Sequence, residues 1–101
     1  MAYGLEDPVV VQIKDVLKLF PSIEKVILYG SRAKGNYREG SDIDLCLIGD
    51  HIDRTLLNQV ELALEDLDLP YSFDLSAYKN LTSVDLISHI DRRGIVFFER
   101  S

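Results

Sequence analysis

Apolar residues along this chain switch between two periods, and the switches divide it into alternating helices and strands. Val9, Ile13, Val16, Leu17 and Phe20 recur at helical spacing. Asp7-Pro8 before them suits a helix start, with Asp as N-cap and Pro at the first helical position, and Pro21 follows the end. Val26-Ile27-Leu28-Tyr29 predicts a strand over 25–29 that stops at Gly30. Residues 42–48 predict a second strand, with Ile43, Leu45 and Leu47 on the face opposite Asp42 and Asp44, closed by Gly49-Asp50. Asp53 is placed to cap a helix carrying Leu56, Leu57, Val60, Leu64 and Leu67 on one stripe, which Pro70 ends. Tyr71–Leu75 reads as a third strand. Thr82-Ser83-Val84-Asp85 fits a capping box, and the helix after it should stop at Gly94 with Arg92 and Arg93 near its negative end. Ile95–Phe98 is a last strand. The order predicts an α/β (α+β) architecture, a mixed sheet of about four strands with helices packed on it. No repeat, low-complexity segment or linker interrupts residues 1–101, so a single domain is expected.

Composition narrows the class. The 101 residues suffice for one modest core, and the 47 % apolar and 28 % charged fractions are ordinary for a globular protein. A net charge of −6 argues against strong nucleic-acid binding, which needs a basic face. Charge can still be local: Lys25, Arg32, Lys34 and Arg38 cluster near residue 30, although a solvated loop explains each of them as well. The lone Cys46 excludes an intramolecular disulfide, and its apolar neighbours make it a small buried hydrophobe. No signal-peptide pattern is visible and no apolar run is long enough to span a membrane, so a cytoplasmic location is the simplest expectation.

The chemistry concentrates in Gly30-Ser31, ten further residues, and Asp42-Ile43-Asp44. Residues i and i+2 of a strand point to one face, so Asp42 and Asp44 project side by side and repel unless a cation lies between them. Hard cations such as Mg²⁺ take oxygen ligands, typically one or two carboxylates plus substrate phosphates. If a helical turn opens at Ser31, its free N–H groups suit a phosphate; Gly30 allows close backbone approach, and the Ser31 hydroxyl can donate. Arg32 and Lys34 would add charge there. Asp74, between Phe73 and Leu75, is the best third acid: the apolar pair faces the core and turns Asp74 to the other side. A phosphate cradle facing a carboxylate cluster is the apparatus of metal-assisted phosphoryl or nucleotidyl transfer. His51 and His89 have no partner at metal-ligand spacing and read as surface or helix residues. Tyr29 and Tyr37 flank the loop and could stack on a base, with packing favoured for Tyr29.

Gly-Ser, ten residues and Asp-x-Asp, in the flanking forms Gly-Ser-Arg-Ala-x-Gly and Ser-Asp-Ile-Asp-Leu, resembles the DNA polymerase beta-like nucleotidyltransferase superfamily and within it the minimal nucleotidyltransferase (MNT) branch. The motif covers Gly30–Leu45, and the order of elements is similar from about Val9 to Phe98. The resemblance implies a nucleotidyltransferase fold, with Asp42, Asp44 and Asp74 as metal ligands and catalytic acids, and Gly30, Ser31, Arg32 and Lys34 holding the nucleotide. It implies two Mg²⁺ ions, with Mn²⁺ as an alternative, and ATP as substrate. It also implies a partner: such proteins pair with helical HEPN proteins as antitoxins that adenylylate and silence them.

Two other readings compete. One is a catalytically silent module that neutralises or scaffolds a helical partner by contact. The other is a small-molecule nucleotidyltransferase, which a chain this short could be only with a second subunit completing the acceptor pocket. Association is expected in any case, as a homodimer or with the helical partner. Ile95–Phe98 would make an apolar edge strand, which Glu99 and Arg100 partly guard.

Overall fold

The computed structural model describes residues 1–100. It contains α1 (Asp7–Lys18), β1 (Lys25–Tyr29), α2 (Ser31–Lys34), β2 (Ile43–Ile48), α3 (Arg54–Glu65), β3 (Phe73–Ala77), α4 (Val84–Arg93) and β4 (Ile95–Glu99), with a 3-10 turn at Tyr78–Asn80. The strands form one mixed sheet in the order β3-β2-β1-β4. β1 is antiparallel to both β2 and β4, whereas β2 and β3 are parallel and joined through α3. This is the mixed four-stranded sheet that the hydrophobic pattern predicts.

Each sheet face has its own cover, as strand alternation requires. Val26, Leu28, Ile43, Leu45, Leu47 and Ala77 share one face, where Ile13 and Leu17 of α1 and Val60 and Leu64 of α3 complete the main core. Full burial of each such side chain is worth roughly 1.5–3 kcal/mol, which outweighs any local propensity. The opposite face is covered only in part. Ile90 of α4 packs there on Tyr29 and Cys46, flanked by Ile27, Leu86 and Tyr78. That thin cover leaves one end of the face open, and the motif residues lie there.

Helix ends follow the sequence with small shifts. Asp53 accepts from the Leu56 N–H at 2.8 Å, as expected. α1 is entered through Glu6, with Asp7 already inside the first turn and no side-chain cap. α4 is capped by Ser83, which accepts from the Leu86 N–H at 3.2 Å, so the box expected from Thr82 to Asp85 is displaced by one residue and only half is used. The third strand runs Phe73–Ala77 rather than Tyr71–Leu75, because Tyr71 is drawn out of the sheet to pack on Arg32. The second begins at Ile43, leaving Asp42 just outside.

β4 lies at a sheet edge, as expected, but its aromatic residues do not line that edge. Val26 pairs with Phe98 and Ile27 with Val96, so Phe97 is an extra residue in a β-bulge. The bulge cancels one alternation and turns both Phe97 and Phe98 into the core, leaving Val96 half exposed. The sticky apolar edge expected for association is therefore absent from this strand. No helix among the described residues is long and apolar enough to cross a membrane.

Candidate active site

Tyr29 pairs with Asp44, and Asp44 pairs with Asp74, so these three side chains form one row across the sheet on the face that α4 partly covers. Ile27, Cys46 and Ser76 form the row behind. Asp42 lies two residues before Asp44 and is exposed, like Asp74, while Asp44 is only partly so. Asp44 and Asp74 are thus neighbours as the alternation predicts, and Asp42, outside the strand, lies near enough for its charge to reach Asp44. Their effect on one another is visible in Asp44, whose carboxyl is pushed up to about 6, first by burial and then by the charges of Asp74 and Asp42. No set of three or more His, Cys, Asp or Glu side chains among the described residues is closed into a ready metal cage. All donors are hard carboxylate oxygens, the donor set that suits Mg²⁺ or Mn²⁺ rather than a soft metal.

Gly30 ends β1 beside this row. Its φ of +76° is one that L side chains rarely adopt, and a Cβ at this position would collide with the Asp44 carboxylate. Glycine here serves two purposes: it turns the chain into α2, and it makes room for the acid. The Lys34 N–H donates to the Gly30 carbonyl at 3.1 Å, which closes the single turn of α2 after Ser31. Lys34 is exposed at the end of that turn.

Arg32 does not fit the role of a phosphate ligand. Its residue is buried, with only 3 % exposed. The guanidinium donates from Nε and NH2 to the Ser41 carbonyl at 3.2 and 3.0 Å, and from NH1 to the Tyr3 carbonyl at 2.9 Å. Tyr71 and Tyr37 flank it, with ring centroids 4.9 and 5.4 Å away. Arg32 is a clamp that fixes the residue before Asp42 against α2 and the N-terminal segment, so the ten-residue excursion returns to the right place. The expected basic cluster is dispersed further, because Lys25 lies at the far end of β1 and pairs with Glu99 at 3.4 Å. Lys34 and Arg38 remain exposed on the excursion.

His89 is the residue that sequence reasoning missed. From α4, its Nε2 accepts the Gly30 N–H at 3.3 Å, and its ring meets Tyr29 edge-on with centroids 6.3 Å apart. It lies on a helix, as expected, but there it has a partner that the sequence reading did not foresee. A helical histidine carries no sequence signal for a partner 59 residues away. His51 stays on the exposed turn after β2. Tyr29 is buried and its hydroxyl lies 3.4 Å from Ser76 Oγ; burial first, and the charges of Asp74 and Asp44 after it, raise its pKa against the lowering effect of that hydrogen bond. Burial likewise pushes the Cys46 thiol up to about 11, the inert cysteine that its apolar setting predicts.

A family model described as polymerase beta, nucleotidyltransferase matches residues 11–101. A Methanocaldococcus jannaschii protein named "putative protein adenylyltransferase" is 57 % identical over 28 residues, a stretch spanning 28 % of this chain and 28 % of that protein. Among solved structures, a toxin–antitoxin complex with AMP-PNP superposes with a TM-score of 0.73 at 22 % identity, over 90 % of this chain and 73 % of the other. A structure described as a "putative minimal nucleotidyltransferase" gives 0.68 at 28 % identity, over 94 % and 95 % of the two chains. The complex of a tri-AMPylated Shewanella oneidensis HEPN toxin with an MNT antitoxin gives 0.62 at 19 % identity, over 91 % and 73 %.

Proposed function

The chain belongs to the polymerase beta nucleotidyltransferase family, and on that premise we propose that it transfers AMP from ATP to an acceptor hydroxyl on a helical HEPN-type partner, as the antitoxin of a toxin–antitoxin pair. The observation that carries this reading is the row Tyr29–Asp44–Asp74 beside Gly30, which sets two carboxylates, with the charge of Asp42 close by, against the backbone turn that opens α2. The choice of an adenylyl donor and a HEPN acceptor is supported by the AMP-PNP, the AMPylated toxin and the adenylyltransferase named among the similar proteins.

Asp42, Asp44 and Asp74 would hold Mg²⁺, which when bound neutralises the triphosphate and lowers the pKa of the acceptor hydroxyl. The remaining tasks fall to the chain itself. Asp74, exposed on the edge strand, is open to an acceptor and takes its proton. The acceptor oxygen bonds to the α-phosphorus as the bond to the β-phosphate oxygen breaks, and pyrophosphate leaves. Ser31 donates its hydroxyl to the departing phosphates and Lys34 adds charge. The Gly30 N–H, held by His89 here, turns to a phosphate oxygen, which is the stronger acceptor. Asp44 favours this reading over a silent contact module, since a half-buried acid beside like charges is costly to keep without a cation to bind.

The test is co-expression with a helical HEPN neighbour, followed by intact-mass spectrometry of that neighbour. Added AMP is expected with the wild-type chain and none with Asp42→Asn or Asp44→Asn. An unmodified partner with the wild type, or full modification by the double variant, would refute the proposal.

A further inference from the structure

Asp85, Ser88, His89, Arg92 and Arg93 recur at helical spacing on α4 and line one groove that the roles above leave unused. His89 joins this groove to the motif through its contact with the Gly30 N–H. The sheet register fixes which end of α4 meets the motif. Ile95 lies opposite Leu28, and Tyr29 opposite Asp44, so the last turn of α4 ends beside the Gly30 end of β1. Arg92 and Arg93 are therefore at the same end of the sheet as the carboxylates, and both are exposed. Arg92 donates from Nε and NH2 to Ser88 Oγ at 3.0 and 2.8 Å, a neutral partner that leaves the charge uncompensated. Neither arginine takes part in an ion pair among the described residues. Several other cations are committed, Lys18 to Asp15, Lys25 to Glu99, Arg32 to its buried clamp and Arg100 to the carbonyls of Lys18, Phe20 and Ile23, whereas Lys34, Arg38 and Arg54 are exposed without such partners among the described residues. The helix dipole favours cations at this terminus, but it does not explain the bond from His89 to the motif glycine.

We propose that Arg92 and Arg93, on the helix that His89 pins to the motif, form an anion-binding wall that holds the β- and γ-phosphates of the nucleotide and the pyrophosphate after transfer. The proposal rests on the nucleotidyl-transfer reading and adds a second side to its phosphate site. Arginine suits the task, because its planar fork matches phosphate oxygens pairwise. His89 pins the wall to Gly30 and gives way there to a phosphate oxygen. Asp85, two helical turns before Arg92, repels a polyphosphate from the other end of the groove and so confines it to the end nearest the motif.

The experiment is calorimetric titration of inorganic pyrophosphate, ATP and AMP, each with Mg²⁺, into the full chain. It compares the wild type, the Arg92→Ala/Arg93→Ala double variant and His89→Ala. The double variant should weaken pyrophosphate and ATP roughly tenfold or more while AMP affinity stays unchanged. His89→Ala should weaken the same two ligands to a smaller extent. Both arginines are exposed, so circular dichroism should show an unaltered fold. Pyrophosphate and ATP affinities unchanged in the double variant, an equal loss for AMP, or a wild type that takes no pyrophosphate would each overturn the wall. Pyrophosphate binding needs no transfer step. Its failure is therefore separate from the case in which Asp44→Asn still modifies the partner, which would overturn the transfer reading alone.

Discussion

Asp44 is held partly buried between like charges, and the sign of that cost can be worked out. Its carboxyl titrates at about 6 in the fold against an ordinary 3.8. Between those values the folded chain binds the proton more tightly than the unfolded chain, so stability falls as pH rises through the window and levels off above it. Asp44→Asn should therefore raise the melting temperature at pH 7 in chelator by a few degrees. The gain is about 1 kcal/mol once the water that still reaches the group is allowed for. It should vanish near the lower end of the window. Calorimetry showing a lower melting temperature at pH 7 would contradict this. Arg32→Ala should cost about 2–3 kcal/mol, because it strands the Tyr3 and Ser41 carbonyls and removes the cation between two rings. Arg32→Lys should recover little of it, since a compact ammonium cannot span both carbonyls; urea denaturation with wild-type stability for the lysine variant would show the clamp to be misread. The two residues also mark how much of the site the sequence reveals. The Asp44 position follows from strand period alone. The Arg32 role depends on Tyr3 and Tyr71, which lie far away in sequence and come together only in the fold.

At the scale of elements, the helices and strands were legible wherever a period ran unbroken, and less so where one was interrupted. The two sheet faces follow from alternation in β1 and β2, and the Asp53 cap from its place before a leucine stripe. β4 departs from this because a bulge adds one residue, and nothing in Ile95–Glu99 announces it. Simple alternation would place one of Phe97 and Phe98 in solvent, whereas the bulge buries both. Phe97→Ala and Phe98→Ala are therefore each expected to cost about 3 kcal/mol or more, and Val96→Ala much less, as read by chemical denaturation. A near-neutral Phe97→Ala would restore the unbulged register. The turn from β1 into α2 has a similar test. Gly30→Ala forces a Cβ onto the Asp44 carboxylate at a positive φ. It should lower stability by about 1–3 kcal/mol and displace the acid to which the proposed transfer assigns a metal.

At the scale of the whole molecule, charge decides how a nucleotide can enter. The chain carries −6 within a radius of gyration of 12.7 Å. The Debye length at about 0.1 M salt is roughly 10 Å, so much of that field reaches an approaching triphosphate. Close to the site the balance is mixed. In the proposed function Arg92, Arg93 and Lys34 would attract the phosphates, whereas Asp42, Asp44 and Asp74 would lie beside the α-phosphate and repel it. At the proposed reacting centre the carboxylates would outweigh the cations, which only border it. ATP binding should therefore require a divalent cation, not merely turnover. In excess chelator, affinity should fall by at least tenfold, the loss expected when one close unscreened charge contact reverses sign. Monovalent salt added in chelator should weaken the repulsion and improve the residual binding slightly, whereas with Mg²⁺ present the same salt should weaken binding. Calorimetric titration of ATP under the four conditions reads both signs. Equal affinity with and without Mg²⁺ would mean that the phosphates bind clear of the carboxylates, and the row Tyr29–Asp44–Asp74 would lose its place as the reacting centre.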